Sequence, residues 1–424
     1  MKRRIPLVAT IAVCAMALAG CSTADAGTGD TGETAEGTLT ITANYAEAAM
    51  QPIIDAFEEA NAGVTVDYTQ LAQGTDTNQA IRTQLAAGTA SDIIMSLPGS
   101  SPLGIVTLSN DGFIADLSDE AWTQEIAEPY KSLVSVDDAV YSFPGGVQPI
   151  AAFYNTTKLN ELGLTAPETW SELLDFCADA RAQGVSAFAA GMADLVSTLL
   201  TTYALVATLN DGPTPGFNEG IATGEHTFAD SKWTQALAQL QKMIDAGCYA
   251  DGATGMSIDV ANGLVADGTA IGTITLGAFF QALIDTLPEG TEYEVAALPA
   301  TDDPTETYMP GSLTTGLSIF SEAKNPELAK KFLAFLAEPE NYASFATDTV
   351  GVIPAIPSDA FEAPATLETF NEFVAAGKVT AFPNVYWPNG EIVASLQNNT
   401  QALFLGSIAP EQIVEAMDAA IMIP

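Results

Sequence analysis

Histidine is almost missing from the 424-residue chain, which has only His226. A zinc site built on several histidines is therefore excluded. Basic residues are scarce as well: 13 Lys and Arg face 53 Asp and Glu, a formal net charge of -40. Three of the cations, Lys2, Arg3 and Arg4, lie at the extreme N-terminus, and without them 10 basic residues face 53 acids, a net of -43. A phosphate-neutralising surface needs clustered Lys and Arg, so nucleic acid is excluded as a partner. A strongly anionic ligand would meet a repulsive field. There is no G-x-S-x-G, no Walker A, no H-E-x-x-H and no nucleophile–histidine pattern, so the common hydrolase and nucleotide chemistries have no foothold. A glycosidase needs only two carboxylates, but nothing in the sequence pairs any two of the acids. No catalytic residue, metal or cofactor is expected. Apolar residues, by contrast, make up 48% of the chain, which excludes disorder despite the charge. The length suggests two or three domain-sized units.

The N-terminus reads as an export signal. Lys2-Arg3-Arg4 precedes Ile5 to Ala19, which is apolar apart from Thr10. That run is short of the roughly 20 residues that span a bilayer and fits the central region of a signal peptide. Leu18-Ala19-Gly20-Cys21 resembles the bacterial lipobox, which implies cleavage before Cys21 and lipid on its thiol. Ser22 to Gly37 holds Thr, Gly, Asp, Glu and Ala with no large apolar residue, the composition of a flexible tether with a reach of roughly 20–24 Å. The expectation is a signal peptide over 1–20, a lipidated tether over 21–37 and a body held at the outer face of the cell membrane by lipid alone. Of the four cysteines, Cys14 then leaves with the signal and Cys21 carries lipid. Cys177 lies on the apolar helical stripe Trp170-Leu173-Leu174-Cys177 and reads first as a buried free thiol. Export also permits a disulfide with Cys248, but sequence does not supply the distance this needs.

In the body, strands alternate with helices. Leu39 to Ala43, Val64 to Tyr68 and Asp92 to Ser96 read as strands; Ala46 to Ala60 and Thr75 to Ala87 read as helices. A second block repeats the pattern: strands at Ile150 to Tyr154, Ser186 to Ala190 and Thr269 to Leu276, helices at Thr169 to Ala182, Leu195 to Leu209 and Ser231 to Ala246. Amphipathic helices follow at Glu327 to Ala337 and Glu411 to Ala420. This order predicts an α/β fold with parallel strands covered on both faces. Ligands in such folds sit beyond the carboxyl ends of strands, which here carry Asn44-Tyr45, Gln73-Gly74 and Leu97-Pro98-Gly99-Ser100. Thr169 with Glu172 reads as a capping box, and Asn325 before Pro326 as a helix cap.

Several segments together resemble the extracellular solute-binding proteins (family 1) of bacterial sugar ABC importers. They are Phe153-Tyr154-Asn155-Thr156-Thr157-Lys158-Leu159 with Glu161-Leu162-Gly163, Pro167-Glu168-Thr169-Trp170-Ser171-Glu172-Leu173, Asp111-Gly112-Phe113-Ile114-Ala115-Asp116-Leu117, and Lys324-Asn325-Pro326-Glu327-Leu328-Ala329-Lys330-Lys331-Phe332-Leu333. The C-terminal Leu403 to Met417 resembles the closing helix. Thr156 departs from the family's usual Lys. The resemblance implies a two-lobe fold with a hinge and a ligand in the cleft between lobes. Lobe one is expected over 38–147 plus 294–322, lobe two over 148–293 plus 323–424, with a first crossing near Pro144 to Gln148 and a return near Glu294 to Leu298. It implies a non-enzymatic lipoprotein, expected to be a monomer, that hands a neutral carbohydrate to the ABC permease in the membrane. A polyamine or peptide is the alternative solute, and a secreted glycosidase a more distant one.

Gripping a sugar takes flat aromatic faces and planar carboxylate or amide groups. Asn44, Tyr45 and Gln73 follow the first two strands, and Gln148 lies at the crossing. Asp194 follows the strand at Ser186, where it would also suit a helix cap. Phe279 and Phe280 follow the strand ending at Leu276, where relatives often carry a stacking Trp. Gly311 and Ser312 are small enough for close backbone approach to a ligand. Trp387, beside Tyr386, is a further platform candidate.

Overall fold

The structure, a computed structural model, describes residues 37–71 and 75–422. The expected signal peptide, Cys21, the tether apart from Gly37, and Gln73 lie outside the described residues.

The strands are β1 (Gly37–Ala43), β2 (Val64–Gln70), β3 (Ile93–Ser96), β4 (Ser135–Val136), β5 (Ala139–Val140), β6 (Val147–Asn155), β7 (Ser186–Ala189), β8 (Ala270–Leu276), β9 (Tyr293–Ala296), β10 (Met309–Leu313), β11 (Gly316–Ile319) and β12 (Val379–Thr380). They form two main sheets. The first has the order β11-β3-β1-β2, and the second β12-β10-β6-β8-β7 with β9 also on β6. In the first, β1 runs parallel to β2 and β3, while β11 is antiparallel to β3. In the second, β7 and β8 are parallel, and β6 is antiparallel to β8, β9 and β10.

Local sequence accounts for these elements. In β1, Leu39 and Ile41 point into the core between the threonines of a β-branched strand. Helix Glu47–Ala60 buries Met50, Ile53, Ile54 and Phe57, the spacing of one helical face. Helix Trp170–Ala182 starts on the capping box: Glu172 accepts the Thr169 N–H while Thr169 accepts the Glu172 N–H. Asn325 does not cap helix Pro326–Leu336 with its side chain. Its amide instead donates to Thr38 O, 2.9 Å away, and its backbone N–H goes to Asp92. Asp92 accepts from Thr40 N and Oγ1, Lys324 N and Asn325 N, so it stitches β1, β3 and that helix together. Burial alone would raise its pKa, but these hydrogen bonds outweigh that and hold the carboxyl below its ordinary value.

The first sheet is packed by aliphatic strands and an aromatic contact, Phe57 edge-on to Phe332 at 5.1 Å and to Phe335 at 5.4 Å. Helices Pro326–Leu336 and Pro339–Thr349 therefore belong with the first sheet, where the expected lobe division had placed them with the second. β9 also differs from expectation. The chain does not rejoin the first sheet near Glu294 to Leu298, because Val295 and Ala296 pair with Phe153 and Ala152 of β6. β6 carries β10 beside its first residues and β9 beside its last on one edge, and the return comes only at β11.

Beyond the second sheet, Trp387 lies at 5.3 Å from Phe228 and 5.6 Å from Trp233, with Tyr203 alongside. Cys177 and Cys248 form a disulfide across 71 residues with their Cα atoms 4.7 Å apart, which corrects the reading of Cys177 as a free thiol. Both residues are fully buried, Cys177 on helix Trp170–Ala182 and Cys248 in the loop after helix Trp233–Asp245. No helix among the described residues is long and apolar enough to cross a membrane.

Candidate functional site

The two sheets are joined by Pro144 to Val147 and by Leu313 to Gly316, with Val350 to Ile356 lying against them. Val147 and Ile353 exchange backbone hydrogen bonds at 2.8 and 2.9 Å. Two buried tyrosines hold these segments. The Tyr45 hydroxyl donates to Thr315 O, and a side chain on Gly145 would collide with that hydroxyl. The Tyr342 hydroxyl donates to Pro144 O at 2.8 Å and accepts from Ala355 N at 3.1 Å. Phe345 stands edge-on to Tyr45 at 4.9 Å and beside Tyr342. Burial pushes both phenols well above their ordinary pKa, so they remain neutral donors. Tyr45, a ligand candidate from its place after β1, is thus committed to the crossing segments.

The other candidates divide into three groups. Asn44 is half-buried at the carboxyl end of β1. Gln148 accepts from Ala278 N at 3.3 Å and so holds the turn after β8. Asp194 is exposed and accepts from Ile258 N at 2.8 Å, at the start of helix Ile258–Ala266. Gln148 and Asp194 therefore have structural partners yet stay reachable, and Phe279 is also half-buried beyond β8. Phe280 and Trp387 are core residues, 0% and 1% exposed. Phe280 packs on Phe153, and Trp387 sits in the aromatic block with its indole N–H on Asn218 Oδ1 at 3.2 Å. Neither presents a ring face to a cleft, because an aromatic beside a turn lowers its free energy by turning into an adjacent core. Gly311 has the close approach expected of it, but to Phe370, 2.5 Å from where its Cβ would stand. Ser312 is fully buried, with its hydroxyl unpartnered among the described residues.

Sequence reading named Trp387 beside Tyr386 as a platform but missed this segment's contact with the first half. Val385 packs on Gly99 of the loop after β3, and the Tyr386 phenol lies beside Ser132. Burial pushes the Tyr386 phenol up to about 12. The only signal for this was Gly99 among the strand-end residues. Asp211 was missed as well. It ends a π-helical turn, Ala207–Asp211, of the kind often found at functional positions. Asn210 donates to its Oδ1 at 2.9 Å, while Oδ2 is buried without a partner among the described residues. Burial pushes this carboxyl up to about 7, against opposing help from Asn210 and Asn218.

What the arrangement offers is two α/β halves with a joint between them. Polar groups and one aromatic ring lie near strand ends of both halves, and among the described residues no group of three His, Cys, Asp or Glu is placed to hold a metal.

Comparison with known proteins agrees with this architecture. The family of bacterial extracellular solute-binding proteins matches residues 52–369. A multiple sugar-binding protein of Streptococcus mutans is 27% identical over 143 residues, 34% of this chain; the match spans about a third of that relative, 33%. A family 1 extracellular solute-binding protein from Bifidobacterium longum subsp. infantis superposes with a TM-score of 0.74 at 21% identity, covering 91% of this chain and 98% of that one. The structure of RafE with raffinose bound superposes with a TM-score of 0.72 at 19% identity, covering 91% and 98%.

Proposed function

The chain belongs to the bacterial extracellular solute-binding proteins, and from that premise we propose that it captures a sugar or oligosaccharide outside the cell and delivers it to an ABC permease. The observation that carries the reading is the family match over residues 52–369 on a body of two sheets joined at a tyrosine-held crossing. The sugar itself is argued from the multiple sugar-binding relative and from the raffinose-bound neighbour, together with the half-buried Phe279 and the amide and carboxylate groups of Asn44, Gln148 and Asp194. A hydrogen bond to a charged group contributes roughly 1.5–3 kcal/mol when both partners are desolvated. Asp194 is the strongest of these candidates by that measure.

Lobe one comprises the first sheet with helices Pro326–Leu336 and Pro339–Thr349; lobe two comprises the second sheet with the C-terminal helices. Lipid on Cys21 keeps the body at the membrane. Ligand touching both lobes favours closure by the contacts absent from the open form, and closure is the signal the permease reads.

A thermal-shift screen against a carbohydrate panel tests the function, because a ligand at 100 times its dissociation constant adds about 2.7 kcal/mol. A polyamine or peptide that raises the midpoint where no sugar does would replace the sugar reading. Release of product from an oligosaccharide would replace binding with hydrolysis.

A further inference from the structure

The segment from Phe382 to Pro388 is part of the second half by chain and packing. It follows β12, which pairs with β10. Trp387 fixes it there, buried against Phe228 at 5.3 Å and Trp233 at 5.6 Å, with its indole N–H on Asn218. Asn218 lies beside Asp211, so the anchor adjoins the π-helical turn. Phe382 stands 6.4 Å from Tyr203 in the same aromatic group. Both ends of the segment are therefore rooted in one half.

Its middle touches the other half. A Cβ on Gly99 would lie 2.6 Å from the Val385 carbonyl oxygen and 3.0 Å from its Cα, so the two backbones meet with no room for a methyl group. Gly99 also has φ +80, a conformation that disfavours any side chain. One residue on, the Tyr386 phenol lies beside Ser132. Ser132 lies between Tyr130 and Leu133, both buried in the core that contains β1 and β3. Where backbones are in direct contact across the two halves, no ligand intervenes.

We infer that Phe382 to Pro388 is an interlobe latch, rooted in the second half by Trp387 and seated on the first by Gly99 and Ser132, which favours the closed form without ligand. This rests on the reading that the halves close about the crossing segments. It goes further in two ways. The contact bounds the cleft on the side of the β3 loop, so the ligand lies away from Gly99. The latch also biases the empty protein, and a ligand selective for the closed form binds more tightly in proportion to how far that form is already populated. Gly99 and Tyr386 are positioning residues in this scheme.

The test is solution scattering on the purified chain with no ligand added, comparing wild type with Gly99→Ala, Tyr386→Phe, Ser132→Ala and the Tyr386→Phe/Ser132→Ala pair. Circular dichroism and an intact Cys177–Cys248 bond serve as fold controls. The radius of gyration is expected to rise most in Gly99→Ala. It should rise less in the two single polar variants and no further in their double variant, because both singles weaken the same contact. A folded Gly99→Ala with the wild-type radius overturns the latch. If Gly99→Ala does not fold, the polar variants decide, and an unchanged radius in all three of them overturns it. Failure of every sugar to bind any variant removes the sugar reading but leaves a difference between empty proteins standing. Sugar binding with equal radius and equal affinity in wild type and Gly99→Ala does the reverse.

Discussion

The two halves each bury an aspartate, and the two carboxyls shift in opposite directions. Asp92 in the first half accepts four hydrogen bonds from Thr40, Lys324 and Asn325 and is held below its ordinary pKa. Asp211 in the second half has one oxygen without a partner among the described residues and is pushed up to about 7. The difference teaches that burial alone does not set the charge of a buried acid; the number of donors around it does. The surrounding cores differ in the same sense. Both cores are rich in aromatics, but the first is tied by backbone bonds to one carboxylate, whereas the second is closed by a disulfide beside the Trp233–Trp387 block.

The contrast can be broken most forcefully at Trp387. Its replacement by Ala should cost about 3–5 kcal/mol, read as a lower denaturant midpoint. A cost below about 1 kcal/mol would mean that the aromatic block does not carry the second half. Asp211→Asn sharpens the comparison of the two acids. A carboxyl raised from 3.8 to about 7 binds its proton more tightly in the folded state, so stability falls as the pH rises between those values. The Asn variant should therefore gain up to about 4 kcal/mol over wild type at pH 8, with the gain shrinking below pH 7 and gone near pH 4. Melting curves across that range check the sign, and a constant difference would refute it.

Removing the disulfide with Cys177→Ser and Cys248→Ser should cost about 2–4 kcal/mol and leave the first half's hydrogen-exchange protection unchanged. Loss of protection around Asp92 would show the halves to be one cooperative unit. The smallest effect is expected for Asp92→Asn, about 1.5–3 kcal/mol at neutral pH. Because the folded pKa is lowered, the stabilisation is present above the unfolded carboxylate value and is lost as the pH falls through the folded one. The gap to wild type should therefore close in acid, as at Asp211, but with the opposite sign, because here the Asn variant is the less stable protein at neutral pH.

Much of this fold was legible from local chemistry. The β-branched run at Leu39 to Ala43, the one-sided spacing of Met50 to Phe57 and the Thr169–Glu172 box each depend on neighbours within a few residues, and each formed as read. What was not legible depended on distant partners. Residues 293–296 became a strand of the second sheet because β6 left an edge open to them. Asn325 gave up capping for Thr38, 287 residues away. Of the candidate site, the accessible placement of Asn44 and Asp194 followed from their positions in the chain, whereas the inward turn of Trp387 and Phe280 did not, since sequence does not say which side of a turn faces a core. The Cys177–Cys248 bond depended on a distance that only the fold supplies.

Strand β6 has a mechanical consequence. It begins at the crossing and runs nine residues through the middle of the second sheet, a lever of about 30 Å at the usual strand rise. Its side chains alternate between two cores, Phe153 in one and Tyr154 in the other, so the lever is clamped on both sides and does not flex independently. A turn of about 20° at its base would carry the Asn155 end through roughly 10 Å at that length. A change of a few dihedral angles near Gly145 and Gly146 would thus be geared up into a displacement of that size at the far end of the sheet.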